Sequence, residues 1–168
     1  MNLRKLVLSS LLLAIGLILH QIVPAIFMGM KPDFFLSMMF IAIFLGDDYK
    51  LALIVGAAAG IFTALTTTFP GGQVANIVDK LVTCNVVFIL YRLTKNKLNS
   101  QVQMAIIAFI GTLISGLVFL GTALLFFGLP APFSALVLTV VAPAALINTA
   151  ACLVLYNAVS LALKRISY

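Results

Sequence analysis

The chain has 168 residues, 64% of them hydrophobic and 8% charged, with a mean hydropathy of +1.25. A soluble globular domain carries about 25% charged residues, so no water-soluble fold of this size could hide that much apolar surface, and the chain is read as an integral membrane protein. The net charge of +6 does not mark a nucleic-acid binder, because the basic residues sit between apolar runs and form no patch.

In chain order, Arg4 and Lys5 precede an apolar run from Leu6 to Met28. That run is about twice as long as a signal-peptide core and lacks a small-x-small cleavage site, so it is expected to stay as a first span. Further apolar runs fall near 34–46, 51–69, 74–93, 102–128 and 133–163. A spanning helix needs about 20 residues. The runs therefore predict an all-α bundle of about six transmembrane helices in one domain, 1–168. The second run is short, with Pro32 and Asp33 suited to its first turn. Pro143 is expected to kink the last, long one. Asp47 and Asp48 lie in a tight turn, where they could cap the third helix. That helix carries Gly56 and Gly60 as a GxxxG, a pattern for close helix approach whose partner stays open. Ser10 and Ala14 form a weaker small-xxx-small pair on the first span, for which packing inside the chain is the usual reading.

Basic residues orient the bundle. With the N-terminus in the cytoplasm, Arg4, Lys5, Lys50, Arg92, Lys95, Lys97, Lys164 and Arg165 all lie inside, and Lys31 and Lys80 lie outside. The bias predicts cytoplasmic termini at both ends. It also places 31–33, 66–76 and 128–133 on the outer face, where Gly, Pro and Phe are frequent. Those residues suit either an interfacial aromatic belt or an apolar lid over a planar ligand.

The stretch Thr66–Lys80, TTTFPGGQVANIVDK, stands apart from the rest. Pro70, Gly71 and Gly72 break the chain, and a helix restarts after them. On that helix Asn76, Asp79 and Lys80 recur at i, i+3, i+4 and share one face, which Thr83 extends. Each charge would cost about 2.5–3.5 kcal/mol at a helix centre and less near the interface. Lys80 could instead be an anchor that snorkels to the interface. A polar face opening on a wet outer cavity suits a zwitterion, whose ammonium and carboxylate each need an opposite partner. Lys80 or Lys31 would then face the carboxylate, with Asp79 or Asp33 facing the ammonium. Gln73 lies close by, and Phe69, Phe34 or Phe35 could stack on a ring.

Other polar residues are read singly. His20 lies about 24 Å along a helix above Arg4, in the outer third of the first span, where it either bonds a neighbouring helix or meets a ligand. Asn148, near mid-membrane in the last span, needs a partner in another helix or in a substrate. Asn85 and Asn157 read as structural, and Cys84 and Cys152 as buried thiols. The chain has no Glu, one His, and no nucleophile, metal or nucleotide motif, so an enzyme is not indicated and no cofactor is expected. Active transport by such a chain must draw on an ion gradient or on partner subunits.

The runs KPDFFLSMMF (31–40) and TTTFPGGQVANIVDK (66–80), with the six-span length, resemble the bacterial tryptophan-transporter family, which is related to the substrate-binding S components of energy-coupling-factor (ECF) transporters. The resemblance implies tryptophan as cargo and a location in the bacterial cell membrane. Ser10 and Ala14 are similar to the small-xxx-small motif by which S components dock on a transmembrane coupling subunit, and ATPase subunits are implied with it. It also implies a site near the outer surface, formed by Lys31, Asp33 and Phe34 with Phe69, Gln73, Asn76, Asp79 and Lys80, and with His20 and Asn148 at similar depth. The alternatives are a self-sufficient ion-coupled carrier of an aromatic amino acid, a vitamin-specific S component, or a membrane scaffold that transports nothing.

Overall fold

A computed structural model describes residues 2–23 and 32–166, and among them every regular element is helical. The helices are α1 (Leu3–Ile22), α2 (Phe34–Gly46), α3 (Tyr49–Thr66), α4 (Gly72–Thr94), α5 (Ser100–Phe126), α6 (Phe133–Leu136) and α7 (Ala142–Ile166). A π-helical turn, Val137–Val141, joins α6 to α7. Five stretches are long and apolar enough to cross a bilayer: α1, α3, α4, α5 and the continuous Phe133–Arg165. With the shorter α2 they make a six-helix membrane bundle, as the apolar runs predict.

The short α2 is the hub. It packs on α1, α3, α4, α5 and α7, and every residue from Phe35 to Ile43 is buried. A helix apolar on all sides belongs inside a bundle. Thirteen residues reach only about 20 Å, well short of the hydrocarbon thickness of about 30 Å. A cavity lies at its N-terminal end, where Asp33 and Leu36 form part of the wall. Asp33 caps that N-terminus, its Oδ1 accepting from the Leu36 N–H at 2.9 Å. Around this hub, α1 turns Leu3, Val7, Leu11, Ile18 and Ile22 outward, as a lipid-facing surface does.

The GxxxG has its partner within the chain. A Cβ at Gly56 would run into the Cys84 side chain and come within 3.2 Å of the Lys80 carbonyl, and one at Gly60 would lie 3.2 Å from Ile77 Cα. Two glycines thus let α3 lie directly on the helix that carries the polar face.

At the end of the bundle away from that face, Asp48 caps α3, accepting from the Lys50 N–H at 2.8 Å and the Leu51 N–H at 3.3 Å. Asp47 does not cap it. It ends α2 in the left-handed region (φ 49°) and pairs instead with Arg92 at 3.2 Å and with Lys95. A hydrogen bond from the Lys95 ammonium holds the Asp47 carboxyl below its ordinary range. Lys5 reaches the same corner, donating to the Gly46 carbonyl at 2.8 Å. Asn85 and Asn157 have structural partners, the first accepting from the Tyr49 hydroxyl and the second from the Gln101 amide.

The last span is irregular just where Pro143 demands it. Proline has no N–H, and its ring crowds the carbonyl four residues back, that of Thr139. The π turn lies immediately before it, with the Ala142 N–H bonded to the Val137 carbonyl. Widening the helix there relieves the crowding, so the irregularity extends upstream of the proline.

Candidate functional site

The site begins at the break between α3 and α4. Phe69 and Pro70 cross from one helix to the next, and Gly71 turns the chain with φ 71°. Only glycine fits there, because the Phe127 ring fills the space a Cβ would occupy. The Gly72 N–H closes the turn on the Phe69 carbonyl at 2.9 Å, and the Phe69 N–H donates to Thr67 Oγ1 at 3.2 Å. The Phe69 ring then stands edge-on to Phe119 of α5, with centroids 5.3 Å apart.

From that start α4 turns its polar face inward. Asn76 is buried and donates to the Gly72 carbonyl at 2.8 Å. Asp79 is 1% exposed and Lys80 3%. The Lys80 ammonium donates to Asp79 Oδ2 at 2.5 Å and to Ser115 Oγ at 3.3 Å. Ser115 donates in turn to Asp79 Oδ2 at 2.9 Å, and Thr83 donates to Oδ1 at 2.8 Å. Both carboxylate oxygens of Asp79 are therefore engaged. An ammonium has three donors, so Lys80 retains one for a further acceptor. The face opens on a cavity, but Asp79 and Lys80 are almost fully buried in its wall, where two poorly solvated charges persist only when they satisfy each other.

These groups form one end of a cavity of ≈ 470 Å³ bounded by α2, α4, α5 and the last span. Asp33 and Leu36 lie at the tip of α2, and Thr112 and Asn148 sit beside them. Asn148 Oδ1 accepts from the Asp33 N–H at 2.7 Å, while its Nδ2 faces Thr112 Oγ1 at 3.5 Å. Asn148 thereby ties α7, α2 and α5 together at the cavity wall, so its partners are within the chain. The rest of the lining is mostly apolar, with Phe119, Leu120, Leu136, Val140 and Val141 surrounding the charged end. A volume of this size lies within the range of small-molecule sites, about 300–1,000 Å³.

A second, smaller cavity of ≈ 200 Å³ adjoins the first through shared walls at Asp33, Phe69 and Asn76. It adds His20, Phe35, Thr63 and Thr66–Thr68. His20 Nδ1 stands 3.6 Å from Asp33 Oδ1.

The structure brings together Asp33, Phe69, Asn76, Asp79, Lys80 and Asn148 in the first cavity, and His20 in the second. Gln73 does not join them. It is exposed, lying roughly 120° around α4 from Asp79. Phe34 lines neither cavity: its backbone abuts α1 near Gly16, and Phe35 points to the second cavity in its place. Lys31 lies outside the described residues. Ser10 and Ala14 are exposed, on the side of α1 away from Ser9, Leu12, Leu13 and Gly16, so the expectation that they pack internally is replaced. The small residue that actually meets α2 is Gly16, whose Cβ would lie 2.9 Å from Met38 Cβ. Sequence reasoning missed Thr112, Ser115 and Phe119. For the first two the signal is a small and polar stripe at i, i+3, i+4 on α5, namely Thr112, Ser115 and Gly116, which matches the polar face of α4.

Known proteins resemble this chain over almost its full length. The family described as Tryptophan transporter TrpP matches residues 2–164. A Clostridium acetobutylicum protein named "Probable tryptophan transport protein" is 51% identical over 164 residues, 98% of this chain and 96% of that relative. Relatives of the same name from Clostridium perfringens and Bacillus subtilis are 48% identical over 176 residues and 44% over 168, covering 99% and 100% of this chain and 96% and 97% of their own lengths. No solved structure matches. The family match over residues 2–164, with likeness over nearly the whole of each relative, leads to one assignment: this chain belongs to the tryptophan transporter family TrpP.

Proposed function

We propose that this chain is the membrane substrate-binding subunit of an ECF-type, ATP-driven uptake system for tryptophan. The observation that carries the reading is the buried Lys80–Asp79–Ser115 set at one end of a largely apolar cavity of ≈ 470 Å³. Such a cavity offers a fixed cation to a carboxylate and apolar walls to an indole. Lys80 takes the carboxylate with its remaining donor. Asp79, with both oxygens engaged, holds Lys80 in place and does not face the ligand ammonium. That role falls to Asp33, whose side chain is 32% exposed at the cavity rim. Phe69 covers the ligand from the α3–α4 break.

The remainder of the proposal concerns coupling and orientation. The small, exposed Ser10 and Ala14 leave a smooth strip on α1 against which a helix of a coupling subunit can lie closely. Partner subunits supply ATP hydrolysis, since no nucleotide motif occurs in the 168 residues. The basic-residue bias puts both termini in the cytoplasm and the cavity mouth outside, in the cell membrane.

Because the chain contains no tryptophan, changes in ligand emission on binding are read without interference from protein tryptophan. Purified protein is expected to change tryptophan emission saturably and to melt at higher temperature with tryptophan than with phenylalanine, tyrosine or B vitamins. Uptake into vesicles is expected to need the ATPase complex. Saturable binding with uptake that follows an ion gradient and ignores ATP would replace the ECF reading with a self-sufficient carrier.

A further inference from the structure

We propose that the second cavity is a subsite for a monovalent cationic group, distinct in polarity from the Lys80 end of the first. The inference rests on the tryptophan-binding reading only for the identity of one possible occupant, the α-ammonium of the substrate. The other is a free alkali cation.

Several groups around this cavity offer acceptors: two of its threonines have committed their own protons, and its one basic side chain, His20, stands beside the Asp33 carboxylate. Thr63 donates its hydroxyl proton to the Ala59 carbonyl at 2.8 Å, and Thr66 donates to the Phe62 carbonyl at 2.8 Å. Each bond turns the proton back into α3 and leaves the oxygen lone pairs for a ligand. Asn76 gives one of its two Nδ2 hydrogens to the Gly72 carbonyl and keeps its Oδ1 as an acceptor. Asp33 contributes a carboxylate with two named neighbours, the Leu36 N–H and His20, so acceptor capacity remains. No Lys or Arg lines the cavity among the described residues.

The backbone adds the same sign. Thr63 and Thr66 belong to the last turn of α3, whose carbonyl end carries the negative end of the helix dipole. Thr67 follows in an extended conformation, and among the described residues no backbone N–H from beyond the helix closes that turn. An anion would meet a carboxylate, lone pairs and a helix C-terminus together. A cation would meet ligands of the oxygen type that alkali ions and ammonium groups take. The volume of ≈ 200 Å³ admits either occupant with a few waters, at about 30 Å³ each. Because Asp33, Phe69 and Asn76 wall both cavities, a charge seated here lies next to the ligand in the first.

The test uses the full chain, purified in detergent at pH 8, with the variant Thr63→Val/Thr66→Val. Valine keeps the shape and removes only the hydroxyls. Tryptophan, tryptamine and indole-3-propionate are titrated in sodium chloride and in choline chloride of equal ionic strength. If the substrate ammonium is the occupant, the double variant weakens tryptophan and tryptamine about tenfold or more, spares indole-3-propionate, and choline changes nothing. If a free ion is the occupant, choline weakens tryptophan binding to the parent, and the variant abolishes that salt dependence. Unchanged binding of all three ligands by a folded variant, with no effect of choline, overturns the proposal. If the double variant fails to fold, Thr63→Val alone serves instead, read in the same way, because Thr63 lines the second cavity and not the first. Should the parent bind no tryptophan at all, the reading of the first cavity falls, and the subsite is decided by melting temperature alone. A sodium-specific rise that the variant loses supports it, and no rise overturns it.

Discussion

Asp79→Asn is the most informative single change, because it separates what Asp79 does for the fold from what Lys80 does for the ligand. Asp79 is 1% exposed and holds three donors, Lys80 at 2.5 Å, Thr83 at 2.8 Å and Ser115 at 2.9 Å. An asparagine oxygen can keep one or two of them but removes the charge opposite Lys80. Breaking a buried ion pair from one side costs about 3–5 kcal/mol, because an uncompensated charge is left behind. At about 2–4 °C per kcal/mol for a chain of this size, the melting temperature should fall by about 6–20 °C. Lys80→Met in the same protein removes the stranded cation. Replacing both members of a buried pair with matched uncharged groups is often neutral or better. The double variant Asp79→Asn/Lys80→Met should therefore recover most of the lost melting temperature, yet bind tryptophan at least about tenfold more weakly than the parent, about 1.4 kcal/mol or more. Thermal unfolding in detergent reads the first quantity and tryptophan emission the second. If Asp79→Asn alone melts like the parent, the pair is not buried as described. If the double variant is stable and binds tryptophan normally, Lys80 does not hold the carboxylate.

Four further outcomes are expected. Gly56→Ala sets a methyl against Cys84 and 3.2 Å from the Lys80 carbonyl, and overpacking of this kind costs about 1–3 kcal/mol, read as a lower melting temperature; an unchanged value would mean that α3 does not lie so closely on α4. Ala14→Leu, on an exposed strip of α1, should abolish uptake while leaving tryptophan binding and melting temperature unchanged; loss of binding as well would place Ala14 inside the fold. The Asp47 carboxyl is held below its ordinary value of 3.8 by the Lys95 hydrogen bond, so its contribution is fully present above that value and is lost as pH falls through the lower folded one. Below about pH 4 the melting temperature should therefore fall less steeply with pH for Asp47→Asn than for the parent, with the difference fading at high salt; identical pH profiles would remove the bridge from the list of stabilising contacts. A cysteine at the exposed Gln73 should react with an impermeant reagent from outside intact cells and one at Lys97 should not; the reverse pattern would invert the orientation.

Composition alone places this chain in a membrane, because apolar surface on this scale has no other solvent. Local chemistry goes further: Pro70-Gly71-Gly72 had to break the helix, Pro32 and Asp33 suited the start of α2, Asp47 or Asp48 suited a cap on α3, and the spacing of Asn76, Asp79, Lys80 and Thr83 had to align them on one face. What the spacing could not say is what that face meets. Lipid tails are as apolar as leucine, so hydropathy cannot tell a lipid-facing side of a helix from a core-facing one, nor rotate α1 to turn Gly16 inward and Ser10 and Ala14 outward. The same blindness hid the partner of Gly56 and Gly60 and left Gln73 and Phe34 among the site residues. Hydrogen-bond partners are harder still, because they come from distant parts of the chain. Ser115 reaches Asp79 across 36 residues and Asn148 reaches Asp33 across 115. Only the packed bundle decides that Asp79 is held closed by α5 while Asp33 stays at the rim, since burial of a charge depends on which neighbours can satisfy it and not on its place in a periodic pattern.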